Sequence, residues 1–402
     1  MSLARGLDTL LLAAAVAALA PMLVALLPGP RIPQVVVLLA GGVLIGPEVL
    51  AWAERPEIDL LANVGLGFLF LLAGYELDLH LFQERPGRLA VAAWLVTAAV
   101  AAALVGALAA AGFVHAFIPV ALGLTTTTLG TLLPILRDND MLAGRFGRYL
   151  LAAGAVGELF PIFAIAVFLG ASNKFVALGS LAAVGLLAIV LSQAPRLVRG
   201  NRLGRILREG EGTTAQTTLR WTVLLLLLLL VIAEDFGLDV VLGAFMAGIV
   251  LRRWAPGDVH ALDGKLDAIG YGFFIPLFFV ASGMGLDIRS IAEAPARLGV
   301  FFVLLLVVRG VPALVLYRRD LPAAQRAQMM LLTATALPLL VALAEIGLRN
   351  GTMLRENAAA LVGAGALSVL VFPMAAVAIE RRRRAAGRPT VAPSADAPPA
   401  AE

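Results

Sequence analysis

Residues 116–136 read AFIPVALGLTTTTLGTLLPIL, and residues 145–170 read RFGRYLLAAGAVGELFPIFAIAVFLG. The first run is apolar except at its middle, where Thr125, Thr126, Thr127 and Thr128 lie between Gly123 and Gly130, with Pro134 beyond. The second is apolar except at its middle, where Gly157-Glu158 precedes Pro161. Each run is long enough to cross a bilayer as a helix, which takes about 20 apolar residues. A carboxylate half-way along such a run costs roughly 2.5–3.5 kcal/mol on insertion scales, so Glu158 reads as a functional position. The Thr patch reads as a broken helix. A break leaves backbone N–H and C=O groups unpaired, and at membrane depth that is tolerated only where protein or a wet cavity satisfies them.

Composition agrees with a membrane solvent. The chain of 402 residues is 60% hydrophobic and 14% charged, against about 25% charged in soluble domains. Short alternating strands, the mark of a β-barrel, are missing from the pattern. The sequence therefore predicts an all-α polytopic membrane protein of about 13 transmembrane helices. The predicted segments are 7–27, 33–50, 58–78, 88–112, 116–136, 145–170, 175–195, 217–235, 237–252, 268–286, 296–317, 324–348 and 355–380. The net charge of +4 does not argue for nucleic acid, because basic residues in such a chain mark cytoplasmic loops. Thirteen spans place the termini on opposite sides. With the C-terminus cytoplasmic and the N-terminus outside, 23 of the 31 Lys and Arg residues fall inside, 7 fall outside, and Arg309 lies within a segment. That asymmetry sets the expected orientation in a cell membrane. The basic loop 196–220 reads as a connector between halves. Residues 381–402 read as a basic, Pro/Ala-rich, disordered cytoplasmic tail.

The halves resemble each other at an offset near 205 residues. GGVLIG at Gly41–Gly46 matches GAFMAG at Gly243–Gly248. Leu69-Phe70, Gly74 and Leu77-Asp78-Leu79 match Phe278-Phe279, Gly283 and Leu286-Asp287-Ile288. Thr125 and Thr127 match Thr333 and Thr335, each pair followed by a proline, Pro134 or Pro338. Seven segments separate the copies, an odd number, so the second is expected inverted. The expected architecture is two inverted six-helix repeats with crossed broken helices. The first repeat covers 7–170, a linker helix 175–195, and the second repeat 217–380. Paired interrupted segments of this kind point to the midplane site of a secondary transporter.

With those motifs in place, the chain resembles the monovalent cation:proton antiporter-2 family of the Na+/H+ exchanger superfamily. The resemblance is carried in order by PQVVVLLAGGVLIGP, GLGFLFLLAGYELDL, ALGLTTTTLGTLLPILRDNDMLAGRFGRYLLAAGAVGEL, GAFMAGIVL, FFIPLFFVASGMGLDI and ALPLLVALAEIGLRNG. It spans nearly all of residues 7–380. It implies a homodimer with a moving core (88–170 and 296–380) and a dimerisation scaffold (7–78 and 217–286). It also implies elevator-type exchange of Na+ or K+ for H+. At the position matching the family's key carboxylate stands Glu158, the expected shared cation and proton site. Arg309, in VLLLVVRGVPALVL, is its expected counter-ion, because a buried guanidinium without a carboxylate is costly. Thr126 and Thr127 offer oxygen ligands of the kind hard cations take, and Thr333 and Thr335 are expected to support the crossing. Glu76, Asp78, Asp287 and Glu345 sit near segment ends as caps, gates or funnel charges. The chain departs from the family pattern in two ways. Gly157 replaces the usual acidic residue or Asn, and Glu158 replaces the usual Asp. A single carboxylate carries one charge either way, which predicts electroneutral exchange.

Other function classes meet obstacles in the same residues. The chain has no Cys, so disulfides, thiolate metal sites and Cys nucleophiles are excluded. His80, His115 and His260 have no metal-ligand spacing. An intramembrane enzyme would need a GxGD motif, a His/Glu zinc motif or a Ser/His pair at depth, and the sequence holds none of them. No enzyme activity and no cofactor is expected. A transporter of the same fold for a small organic substrate, and a membrane sensor that has lost transport, are the alternatives.

Overall fold

A computed structural model describes residues 3–26, 33–76, 82–169, 179, 182–183, 185–190, 193, 216–236, 238, 240–254, 259–293 and 295–385. The linker helix, Asp78, His80 and most of the connector lie wholly or largely outside these residues. The described chain is all helical. In order the helices are α1 (Leu3–Leu26), α2 (Gln34–Ile45), α3 (Asp59–Glu76), α4 (Arg85–Ala110), α5 (Phe117–Gly123), α6 (Leu129–Asp138) and α7 (Gly144–Phe168). They continue with α8 (Thr217–Asp235), α9 (Val240–Trp254), α10 (Val259–Ile269), α11 (Ile275–Met284), α12 (Ile288–Glu293), α13 (Pro295–Leu305), α14 (Val311–Leu316), α15 (Ala323–Thr333), α16 (Pro338–Arg349) and α17 (Arg355–Ala385). Helices stand at all the expected segments but the seventh, which lies largely outside the described residues. Two boundaries are corrected. The tenth span starts at Val259 rather than 268, because α10 and α11 run on through a π-turn. Residues 381–385, expected in the tail, are the last turn of α17.

The helices pack in two groups. In one, α3 lies against α9 and α11, α2 against α11, α8 against α9, and α1 against α2. In the other, α4 lies against α7, while α13, α15 and α16 lie against α17. Lipid is as apolar as Leu, so helices in a membrane associate by close packing, and small residues let backbones approach. A Cβ at Gly74 would sit 2.2 Å from the Phe245 carbonyl oxygen, and one at Gly248 would sit 2.1 Å from that of Leu71. A Cβ at Gly42 would sit 2.0 Å from the Val280 oxygen, and one at Gly283 would sit 2.2 Å from that of Leu39. The pairs α3–α9 and α2–α11 are equivalents under the offset read in the sequence.

Two spans contain a π-turn, Gly270–Phe274 and Leu306–Gly310. Each ends two residues before a proline, Pro276 or Pro312. Proline removes a helical N–H and crowds the preceding turn. The wider turn absorbs this and re-aims one side chain in each span. Those side chains, Tyr271 and Arg309, both reach the site.

Candidate functional site

The site forms where two broken helices pass each other. Helix α5 stops at Gly123, and residues 124–128 are non-helical before α6 begins. Helix α15 stops at Thr333, and residues 334–337 are non-helical before α16 begins at Pro338. The two breaks satisfy one another's backbone. The Thr128 N–H donates to the Thr335 carbonyl (2.9 Å), and the Leu337 N–H donates to Thr128 Oγ1 (3.1 Å). The Thr127 hydroxyl donates to the Thr333 carbonyl (2.6 Å). Helix α7 contributes as well, since the Thr127 N–H donates to the Gly157 carbonyl (3.1 Å). That carbonyl is available because its helical donor would be the N–H of residue 161, which is a proline. Pro161 thus opens the acceptor that holds Thr127.

Glu158 sits on α7 with its carboxylate turned to the start of α6. The Leu129 N–H donates to Glu158 Oε1 at 2.5 Å. Free N–H groups and the helix dipole favour an anion there. The carboxylate also accepts from the adjacent Gly130 N–H. It faces a cavity of about 1250 Å³ whose lining includes Thr127, Thr128, Thr131, Tyr271 and Glu76.

Arg309 is 2% exposed. Its Nε donates to Thr127 Oγ1 (2.9 Å) and its Nη2 donates to the Ala153 carbonyl (2.9 Å). The expected ion pair with Glu158 is not formed. The guanidinium points to acceptors, a hydroxyl and a carbonyl, while the carboxylate points to donors at the head of α6. Gly157 explains how the guanidinium fits. A Cβ there would lie 2.7 Å from Arg309 Nη2 and 2.6 Å from Thr127 Oγ1. The space beside Glu158 is therefore filled by Arg309 and Thr127 rather than by a side chain at 157.

The other expected residues divide. Thr126 does not reach the cavity, because its hydroxyl donates back to the Gly123 carbonyl (2.8 Å) and is buried. Thr333 and Thr335 meet the crossing through their carbonyls, while their hydroxyls bond to Met329 and Leu331 of their own helix. Ser368 on α17 was not anticipated. The Ala336 N–H donates to its Oγ (3.1 Å), and its hydroxyl donates to the Gly365 carbonyl (2.7 Å). It is the one hydroxyl residue between 355 and 380, which was the available signal.

A second cavity of about 540 Å³ lies at the opposite ends of the same helices. Glu345 of α16 is held there by Arg55, with Nη2 at 2.8 Å from Oε1, and by the Ser282 hydroxyl of α11, which donates at 3.1 Å. Asp287 caps α12, accepting from the Ser290 N–H (2.9 Å), and this bond holds its carboxyl below the usual range.

Comparison with known proteins agrees with this geometry. YjbQ of Bacillus subtilis, which carries the name of a Na(+)/H(+) antiporter, is 26% identical over 366 residues, 85% of this chain and 58% of YjbQ. The chain thus spans little more than half of that relative's length. The Na(+)/H(+)-K(+) antiporter GerN of Bacillus cereus is 26% identical over 69% of this chain and 70% of its own. In fold, the sodium proton antiporter MjNhaP1 from Methanocaldococcus jannaschii superposes with a TM-score of 0.69, covering 98% of this chain and 100% of MjNhaP1 at 15% identity. The model of the sodium/hydrogen exchanger transmembrane family matches residues 13–379. With that match over nearly the whole helical bundle, the chain belongs to the transmembrane sodium/hydrogen exchanger family.

Proposed function

We propose that the protein exchanges a monovalent cation, Na+ or K+, for protons across the cell membrane, with Glu158 as the shared site. One observation carries this reading. Glu158 is a mid-membrane carboxylate held only by backbone N–H groups at the head of α6, and it lines an open cavity among hydroxyls. A carboxylate so placed holds a proton or a cation, but not both, and that competition is the exchange. Hydroxyl and carbonyl oxygens at the crossing suit a hard cation.

Transport proceeds by elevator-type movement of the α4–α7 and α13–α17 group against the α1–α3 and α8–α11 group, as a homodimer through the latter. The cavity opens toward Glu76, Asn139 and Arg381. The charge asymmetry of the loops makes that face cytoplasmic, so the conformation is inward-facing. Exchange is electroneutral, one proton per cation. Only one carboxylate stands at the crossing, and Arg309 keeps its charge as a guanidinium does at any working pH.

The test is dequenching of a pH-sensitive dye in everted vesicles on addition of Na+, K+ or Li+ across pH. Glu158→Gln, still folded and dimeric, should give no signal. Full activity in that variant would remove Glu158 from the mechanism. Sensitivity of the rate to membrane potential in proteoliposomes would overturn the one-to-one stoichiometry.

A further inference from the structure

We propose that Tyr271 is the scaffold's contribution to the cation site, a specificity residue that acts only while the cavity faces inward. This rests on the exchange reading above and deepens it. Apart from Glu76 of α3, which lines the cavity, the site groups described so far belong to the group of helices that carries α5, α6, α7 and α15. Tyr271 belongs to the other group, on the π-turn between α10 and α11.

Three observations place it. First, the π-turn ahead of Pro276 is anchored on its far side, where Phe274 stacks on Phe68 of α3 with ring centroids 5.0 Å apart. The turn leaves Tyr271 directed into the cavity, 42% exposed there. Second, its phenol oxygen would lie 3.6 Å from a Cβ at Gly130. Gly130 directly follows Leu129, whose N–H holds Glu158. The phenol therefore crosses from the scaffold to the head of α6, where the carboxylate sits. Third, the oxygens around Gly130 are unspent. The Tyr271 hydroxyl has no hydrogen-bond partner among the described residues. Thr131 Oγ1 is buried without one, and the Glu158 carboxylate has only the backbone donors at the head of α6. A buried hydroxyl without a partner is costly, and a cation entering between these groups would satisfy all three.

A phenol oxygen is a neutral, hard donor. It adds a ligand without changing the charge of the site, so it affects which cation binds and how tightly, not the stoichiometry. It is also fixed to the scaffold. When the carrier group moves toward the outer face, Glu158 travels and Tyr271 stays. The site should therefore bind its cation more tightly from the inner face than from the outer one.

The experiment measures the apparent KM for Na+ and for K+ with Tyr271→Phe, in everted and in right-side-out vesicles. Loss of one hydroxyl ligand should raise the inner-face KM about three- to tenfold. The maximal rate should change by less than about twofold, since a lost binding contact acts on KM. The outer-face KM should stay at the wild-type value, and the inner-face preference between Na+ and K+ should shift. Tyr271→Leu, which also removes the ring edge, should show at least the same inner-face loss. An unchanged KM in Tyr271→Phe, or an equal rise on both faces, overturns the assignment. If the wild type itself gives no cation-driven signal, the exchange reading falls and this proposal falls with it. If the wild type exchanges and Tyr271→Phe matches it, only Tyr271 is excluded.

Discussion

Glu158 and Glu345 are the same side chain in the two cavities, and they differ in what holds them. Glu158 takes only backbone N–H groups at the head of α6 and lines an open cavity. Glu345 takes the Arg55 guanidinium and the Ser282 hydroxyl, and its side chain is 9% exposed. Arg55 and Ser282 lie in the α1–α3 and α8–α11 group, and Glu345 in the other. A carboxylate held by neutral donors alone is free to exchange ligands. On the proposed exchange, a carboxylate held by a cation across the boundary between the two groups is a closure. The partners, not the residue, decide which mouth is open.

The largest expected effect is at the free carboxylate. Glu158→Gln keeps the Leu129 hydrogen bond through its amide oxygen and removes the charge, so cation-driven proton movement should vanish while the protein stays folded. The next effect is at the committed one. Glu345→Gln or Arg55→Gln breaks the closure, which as a charged hydrogen bond is worth about 1.5–3 kcal/mol. That corresponds to a roughly ten- to hundredfold gain in the population open at that mouth. The chain has no native cysteine, so V341C, on α16 and lining this mouth, is a clean reporter. Its labelling by a membrane-impermeant maleimide should accelerate in Glu345→Gln. An unchanged rate would mean the pair does not close the mouth.

The comparison also marks what could be read from the residues alone. The spans, the Thr break and Glu158 were legible because each violates the apolar rule at membrane depth, and such violations are visible in one dimension. The pairing of Arg309 was not. A charge census pairs the one mid-segment Arg with the one mid-segment carboxylate, but hydrogen bonding depends on direction. The π-turn ahead of Pro312 aims Arg309 at Thr127 and Ala153, and Pro161 frees the carbonyl that positions Thr127. Thr126 failed for a related reason, since in a run of four threonines only the local turn decides which hydroxyls fold back on their own helix. Tyr271 carried no signal, because a tyrosine near a span end is commonplace.

Gly157 tests the directional account at an intermediate size. Gly157→Ala inserts a methyl group against Thr127 Oγ1 and Arg309 Nη2, and overpacking of this kind costs about 1–3 kcal/mol. The guanidinium must withdraw from Ala153, so exchange should slow about tenfold, without change in V341C labelling. Normal exchange would show that Arg309 has room to spare.

The smallest effect separates closures that move from ties that do not. Asp320 is another buried carboxylate, and it lies wholly within the α4–α7 and α13–α17 group. The Tyr149 hydroxyl donates to it at 2.7 Å, Arg85 Nε lies at 2.9 Å and Arg145 Nη2 at 3.3 Å. Burial pushes its pKa up, but the Tyr149 hydrogen bond and the two guanidinium groups outweigh burial and hold it below the usual carboxylate value. A carboxyl lowered on folding stabilises the protein above its unfolded pKa, and the gain is lost as pH falls through the folded value. Asp320→Asn should therefore lower the melting temperature by on the order of a few degrees, for a loss of about 1–3 kcal/mol. The deficit should be constant from pH 5 to pH 8 and should shrink only below about pH 4, where the wild type begins to protonate. V341C labelling should not change, because Asp320 ties helices that travel together. If labelling did accelerate in Asp320→Asn, the tie would belong to the gate, and the contrast with Glu345 would fail.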